Sequence, residues 1–129
     1  MRTVEKNIIR EIQYGDNELN KNFSCRDRLE KTDYNQFKFY LWNNLIFYKS
    51  AKTNKYYFCM HGWESKTTKS RINAFLSGLV GKEAHIYTKN QQLFYSADGA
   101  YSIKINASER YEIQNNGSLK KIENIMNVL

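Results

Sequence analysis

Proline is absent from the chain, and no run of apolar residues approaches the roughly 20 that span a bilayer. The first residues, 1–19, alternate charged side chains with isoleucines and therefore lack the continuous apolar segment of a signal peptide. The absence of a long apolar run and of a signal peptide argues against export and against a membrane partner. The sequence therefore predicts a cytoplasmic protein.

Cysteine and histidine are equally scarce, with two of each. Cys25 and Cys59 fit no CxxC or metal-ligand spacing, and without an export signal two buried thiols are favoured over a disulfide. His61 and His85 lie in no HExxH, HNH-like, GxSxG or P-loop motif. We therefore expect no catalytic residue, no metal ligand and no cofactor. A small nuclease that uses His61 or His85 is kept as an alternative.

Acidic residues are few in the centre of the chain. Residues 33–82 carry eight Lys or Arg and two Asp or Glu. Their net charge of +6 is most of the formal net charge of +7 of the chain. The same segment holds 12 of the 19 aromatic residues. Basic residues interleaved with aromatics are typical of a surface for phosphates and unstacked bases. The other interpretation, equally open, is an aromatic core whose outer face carries solvated lysines.

The hydrophobic pattern predicts an α+β fold in a single domain, residues 1–129. An antiparallel sheet of five to six strands is expected over 35–106, as a meander, a crossover helix at 67–80 and a second hairpin. Short helices are expected at both termini. They belong to an N-terminal helical segment, 1–34, and a C-terminal helical tail, 107–129.

Helical periodicity is clearest in three places. Residues 3–14 form an amphipathic pattern with Thr3 as candidate N-cap and Gly15 as the end, and a second short helix is possible around 26–31. The tail from Ser118 shows apolar residues at helical spacing: Leu119, Ile122, Ile125, Met126 and Leu129. The central helix has the strongest apolar stripe: Ile72, Phe75, Leu76, Leu79 and Val80.

The central helix is expected to begin with Thr67 or Thr68 as its cap and to end at Gly81. Strand periodicity precedes and follows it. The expected strands are 36–42, 45–50, 55–61, 84–88, 91–96 and 100–105. Asn43–Asn44 is the expected tight turn between the first two strands, because asparagine tolerates positive φ.

The start of the central helix is chemically unusual. It combines three cations with three hydroxyls: Lys66, Lys69 and Arg71, with Thr67, Thr68 and Ser70. Cations are disfavoured near a helix N-terminus, so this cluster favours a bound anion. Trp63 adds a ring on which a base stacks. The alternative is an ordinary threonine cap with its lysines in water and Trp63 filling the edge of the core.

The predicted binding site for nucleic acid or a partner joins this helix start to the basic strands. It comprises Trp63, Lys66, Thr67, Thr68, Lys69, Ser70, Arg71, Lys38, Lys49, Lys52 and Lys55.

Residues 41–105 resemble a group of small phage-encoded proteins. The most specific part is Gly62–Trp63 followed by the helix start at 67–73. The first 30 residues and the tail after Asn106 lie outside this resemblance. It implies a phage origin, and therefore action inside a host bacterium, but it implies no reaction.

Small phage proteins of this kind act mostly by binding a host machine, and anti-CRISPR proteins are a prominent class. The resemblance therefore implies a non-catalytic inhibitor that binds a CRISPR effector complex or its nucleic acid, whether RNA or DNA. The basic charge argues against mimicry of DNA. A general phage nucleic-acid-binding accessory protein is the main alternative.

Overall fold

The computed structural model describes residues 1–33, 35–99, 101–125 and 128, apart from the side chain of Asp33. Its two α-helices are α1 (Thr3–Tyr14) and α2 (Lys66–Phe75), and a π-helical segment, Leu76–Val80, continues α2. The strands within these residues are β1 (Leu19–Asn22), β2 (Asp27–Asp33), β3 (Gln36–Leu41), β4 (Asn44–Lys49), β5 (Tyr56–Cys59), β6 (His85–Lys89), β7 (Gln92–Ala97), β8 (Tyr101–Lys104), β9 (Arg110–Ile113) and β10 (Leu119–Ile122).

The strands form two antiparallel sheets. Seven strands lie in the order β1-β2-β3-β4-β5-β9-β10, and three lie in the order β6-β7-β8. The α+β class and the meander of β3, β4 and β5 are confirmed, whereas the expected single sheet of five to six strands is wrong. The amide of Asn73 on α2 bonds to both backbone groups of Ile86 on β6, at 3.0 and 2.7 Å. The Asn73 side chain thus occupies the free hydrogen-bonding edge of β6, and β6, β7 and β8 form a separate sheet.

The N-terminal segment contains two strands in addition to its helix. Helix α1 is confirmed over 3–14, but Arg2 is its N-cap, and the Arg2 amide donates to the Glu5 carboxylate at 2.9 Å. The short helix expected around 26–31 is wrong, because β2 occupies that range. The strand period was hidden because two of its inward-facing positions, Asp27 and Lys31, carry charges.

The tail also forms a strand where a helix was expected. Leu119 and Ile122 belong to β10, which pairs with β9. Residues three apart lie on one side of a helix but on opposite faces of a strand. Leu119 accordingly packs against the main core, and Ile122 packs on a second cluster formed by Tyr48, Tyr57 and Val128. Ile125 packs on the same second cluster. Met126 and Leu129, the remaining expected helix positions, lie outside the described residues.

The main core lies between α2 and one face of the seven-stranded sheet. Phe75 packs on Phe47 with ring centroids 4.8 Å apart and on Phe39 at 5.0 Å. Ile72 and Leu76 are fully buried beside it, so the expected apolar stripe of the central helix is confirmed. These contacts hold the end of α2 against β3 and β4.

Gly81 ends the π-helical segment with φ 74° and ψ −141°, a conformation that residues with a Cβ adopt only with strain. We expect Gly81→Ala to lower the free energy of unfolding by about 1–3 kcal/mol. Denaturant unfolding measures this change. Gly99→Ala is the comparison variant, because Gly99 has a similar φ of 72° but lies in an exposed turn and not at a helix end. Unchanged stability of Gly81→Ala would show that the helix end relaxes without cost.

A candidate binding site with two exposed tryptophans

The two tryptophans of the chain lie at one cavity. Trp42 is 51% exposed and Trp63 is 54% exposed, although tryptophan side chains are usually well buried. Their shared cavity has a volume of about 140 Å³. It is lined by Leu41, Trp42, Asn44, Ile46, Met60, Trp63, Ser65, Thr67 and Thr68. The interpretation of Trp63 as a core residue is therefore wrong, and Trp42 is a site residue that the sequence reasoning missed.

Both tryptophans are held by tight turns. Trp42 and Asn43 have φ of 51° and 64° at the β3–β4 turn, one residue before the expected Asn43–Asn44 turn. His61 and Gly62 have φ of 52° and 74° in the turn before α2. Positive φ at both central residues is the signature of a type I′ turn, which prefers asparagine and glycine. A tryptophan in this conformation is uncommon and is the kind of local strain found at functional positions.

Hydrogen bonds fix the two turns to the sheet and to a neighbouring loop. The Trp42 amide donates to the Arg26 carbonyl at 2.9 Å, and the Gly62 amide donates to the Ala107 carbonyl at 2.8 Å. The Trp63 amide donates to the Met60 carbonyl at 2.9 Å and closes its turn. The cavity is thus preorganised on both sides.

The start of α2 forms the third side of the cavity. Ser65 is the N-cap, in place of the expected Thr67 or Thr68, and its hydroxyl accepts from the Thr68 amide at 3.0 Å. Lys66 is exposed in the first turn, which contains no acidic residue. Lys69 donates to the Thr88 hydroxyl at 2.9 Å. Of the eleven predicted site residues, Trp63, Thr67 and Thr68 line the cavity, and Lys66 is next to Thr67 in the chain.

Arg71 is buried and Ser70 is half-buried beside Glu5 at a different cavity, which corrects their assignment to the binding site. Arg71 is 1% exposed, and its Nε donates to Asp27 at 2.7 Å. A second guanidinium nitrogen donates to Glu5 at 2.8 Å, and Ser70 donates to the same Glu5 oxygen at 2.6 Å. A guanidinium that is buried between two carboxylates is unavailable to an external phosphate. Arg71 is therefore not one of the free cations at the start of α2.

The four predicted lysines of the basic strands are not brought to this cavity. Strand β4 is about 17 Å long, with Asn44 at the cavity end and Lys49 at the other. Lys52 and Lys55 belong to the connection beyond Lys49, and Lys55 pairs with Glu112 at 3.4 Å. Lys38 lies opposite Glu30 in the β2–β3 register. The central positive charge is therefore spread over several surfaces.

The histidines have structural contacts. One ring nitrogen of His61 lies 2.6 Å from the Leu45 carbonyl, and one of His85 lies 2.9 Å from the Glu83 carbonyl. Among the residues that the structure describes, no three His, Cys, Asp or Glu side chains are grouped to hold a metal ion. These positions lend no support to the nuclease alternative.

Both cysteines are free, but they differ in exposure. Cys59 is buried as expected, whereas Cys25 is exposed, so the expectation of two buried thiols is half wrong. Burial raises the pKa of the Cys59 thiol, which further lowers its reactivity. We expect a thiol reagent to modify Cys25 rapidly and Cys59 only after unfolding. Mass spectrometry of the labelled protein measures this, and equal native rates would contradict the burial of Cys59.

The fold and this cavity define a small α+β protein with a preorganised, exposed aromatic site. The family model described as Kyanoviridae Gp96 protein matches residues 1–118, so the chain belongs to this phage family. The expected phage origin is confirmed. The match includes the first 30 residues, which the resemblance left out. No curated protein and no solved structure matches the chain. Within the described ranges, no helix is long and apolar enough to cross a membrane.

Proposed function

We propose that this phage protein binds single-stranded nucleic acid without catalysing a reaction. The observation that carries the proposal is the pair of half-exposed tryptophans, Trp42 and Trp63, on one preorganised cavity. Stacking of a base on an aromatic side chain contributes about 1–3 kcal/mol, and two rings provide for adjacent bases. A duplex keeps its bases stacked on one another, so single strands are the expected ligand.

The polar groups around the cavity suit the rest of a nucleotide. Lys66 and Lys69 on the first turns of α2 supply positive charge for phosphates, in a helix start without acidic residues. Asn44, Ser65 and Thr67 line the cavity with hydrogen-bonding side chains that reach base edges or a ribose hydroxyl. Glu64 is the acidic residue adjacent to Trp63 in the chain and lowers the net charge there.

In an infected host, the proposed activity fits a counter-defence inhibitor of anti-CRISPR type. The ligand would be the guide RNA or the unpaired DNA strand of a CRISPR effector complex, because both present unstacked bases. Membership of a phage family supports the setting and leaves the particular partner open. An accessory role in phage replication or transcription uses the same chemistry. Inhibition of target cleavage by a purified effector, in the presence of excess unrelated single-stranded nucleic acid, separates the two, since that competitor would sequester a general accessory protein.

Intrinsic fluorescence tests the proposed binding directly, because both tryptophans of the chain border the cavity. Titration with single-stranded RNA or DNA should quench the emission with micromolar or tighter affinity. Because phosphate contacts release counterions, affinity should fall steeply as salt rises. Duplex DNA should bind more weakly. Absence of quenching by single strands at low salt would refute nucleic acid as the ligand and favour a protein partner, for which exposed tryptophans are common anchor residues.

A further inference from the structure

A second cavity lies at the other end of β4 and contains two lysines. It has a volume of about 200 Å³ and is open to the surface. Its apolar walls are Ile12, Phe37, Tyr56 and Leu79, and its polar lining consists of Gln13, Lys31, Asn35, Gln36 and Lys49. No carboxylate is among these described lining residues. An apolar pocket with a few converging polar groups is the usual form of a small-molecule site.

Lys49 is the more informative of the two lysines. Its ammonium donates to the Asn35 side-chain oxygen at 2.6 Å and lies 5.2 Å from the centre of the Tyr56 ring. Over the described part of the chain it forms no ion pair with a carboxylate. Partial burial lowers the pKa of Lys49, which is the expected effect on an ammonium without a counter-charge. A bound anion would supply that counter-charge.

Lys31 provides a second positive charge from deeper in the cavity wall. It is 6% exposed, and its ammonium donates to the carbonyls of Glu11 at 2.9 Å and Ile12 at 3.4 Å, at the end of α1. An ammonium has three N–H groups, so among the described residues one donor remains beyond these two contacts. The negative charges of Glu11 and Asp16 partly offset the positive charge of Lys31. Lys49 therefore supplies most of the uncompensated charge, and Lys31 adds to it.

We propose that this cavity binds a small organic dianion of the phosphate monoester class. The phosphate oxygens accept from Lys49 and Lys31, and the organic group lies on Phe37 and Tyr56. Two ammonium groups match the charge of a dianion better than they match the single charge of a carboxylate. Hydrogen bonds between charged groups are also stronger than those between neutral groups. Lys31 and Lys49 are separated from the two-tryptophan cavity by the length of β4, so this ligand site is independent of the proposed nucleic-acid site.

Phenyl phosphate is a suitable probe, with inorganic phosphate and benzoate as partial probes for its two halves. We expect calorimetric titration of the whole protein at low salt to show saturable binding of phenyl phosphate, weaker binding of inorganic phosphate and the weakest binding of benzoate. Lys49→Met should weaken phenyl phosphate binding about tenfold or more, the effect of losing one charge-assisted hydrogen bond.

Lys52→Met is the matched control, because it removes the same charge from an exposed turn three residues away. It should leave the affinity for phenyl phosphate unchanged. Equal losses in Lys49→Met and Lys52→Met, or no saturable binding at millimolar phenyl phosphate, would overturn the site. Benzoate binding as tightly as phenyl phosphate would overturn the dianion class. Substitution of Trp42 should not affect this titration, so failure here is distinguishable from failure of the nucleic-acid proposal.

Discussion

Arg71→Met is expected to lower the free energy of unfolding by about 3–5 kcal/mol, the usual cost of removing one partner from a buried ion pair. Arg71 is 1% exposed, and its two acidic partners, Glu5 and Asp27, have side chains 2% and 0% exposed. These contacts join α2 to α1 and to β2. Methionine preserves much of the side-chain length but leaves Glu5 buried without its ion-pair partner. Asp27 keeps only the Arg26 guanidinium, at 3.7 Å. Urea unfolding at neutral pH measures the loss.

Lys66→Met is the matched control for this prediction. It removes the same charge from the same helix at an exposed position, so we expect a change within about 0.5 kcal/mol. A triple replacement, Glu5→Gln with Asp27→Asn and Arg71→Met, removes all three charges and should recover part of the lost stability. An Arg71→Met protein that is as stable as the Lys66→Met protein would show that the ion-pair network contributes little.

The pH dependence of unfolding gives a second test of the same network. Burial raises the pKa of Asp27, but hydrogen bonds from Arg71 and Ser24 outweigh it, and the net pKa lies below its ordinary 3.8. Burial likewise raises the pKa of Glu5, and hydrogen bonds from Ser70, Arg2 and Arg71 lower it below 4.5. A carboxyl with a lowered folded-state pKa stabilises the fold above its unfolded pKa. The wild-type protein should therefore lose stability as pH falls below about 4.5.

In Arg71→Met the loss of stability at acidic pH should be smaller. Without the guanidinium, the pKa of Glu5 and Asp27 should rise, although the hydrogen bonds from Ser70 and Arg2 to Glu5 and from Ser24 to Asp27 still oppose burial. The proton uptake of the folded and unfolded states then differs less than in the wild type, so acidification should destabilise the variant less. Unfolding curves at several pH values measure this. Parallel profiles for wild type and variant would contradict the assigned ion pairs.

The elements that the sequence predicted correctly are those with strong local periodicity. The alternation at 36–42 and the apolar stripe of the central helix each reflect a face buried against the main core. Strand β2 was missed because its inward residues Asp27 and Lys31 are charged. Their burial makes sense only with Arg71 and the end of α1 in place, and these partners are distant in the chain. No local pattern contains that information.

The candidate site was predicted in part for the same reason. Trp63, Thr67 and Thr68 are close in sequence to the helix start and were found there. Trp42 was missed because alternation continued the strand through it, whereas its amide bonds to Arg26 and shifts the turn by one residue. Arg71 was assigned wrongly because its partner Glu5 is 66 residues away. The one available signal was that the chain has only two tryptophans, and that both are next to turn residues.

Trp42→Asn is expected to weaken binding of single-stranded nucleic acid by about tenfold or more while leaving the protein folded. Loss of one base-stacking ring costs about 1–3 kcal/mol of binding free energy. Stability should change little because two effects oppose each other. Removal of a half-buried ring loses apolar contact, whereas asparagine relieves the strain of φ 51° at a type I′ turn, which costs about 1–2 kcal/mol for an ordinary residue. We expect the two effects to cancel to within about 1 kcal/mol.

Trp63→Ala should likewise reduce affinity and cost less stability than the 3–5 kcal/mol that is typical of a buried large aromatic. The matched control is Tyr14→Ala, which removes an aromatic ring that is 82% exposed on α1. Because Trp42→Asn retains Trp63, quenching of the remaining emission reports the affinity. Gel-shift titration reports it independently of fluorescence.

Affinity that falls equally in Tyr14→Ala would mean that any exposed ring contributes. Wild-type affinity in Trp42→Asn would exclude this turn from the binding surface. Loss confined to the tryptophan variants, with stability retained, would show that the strained turn serves binding rather than folding.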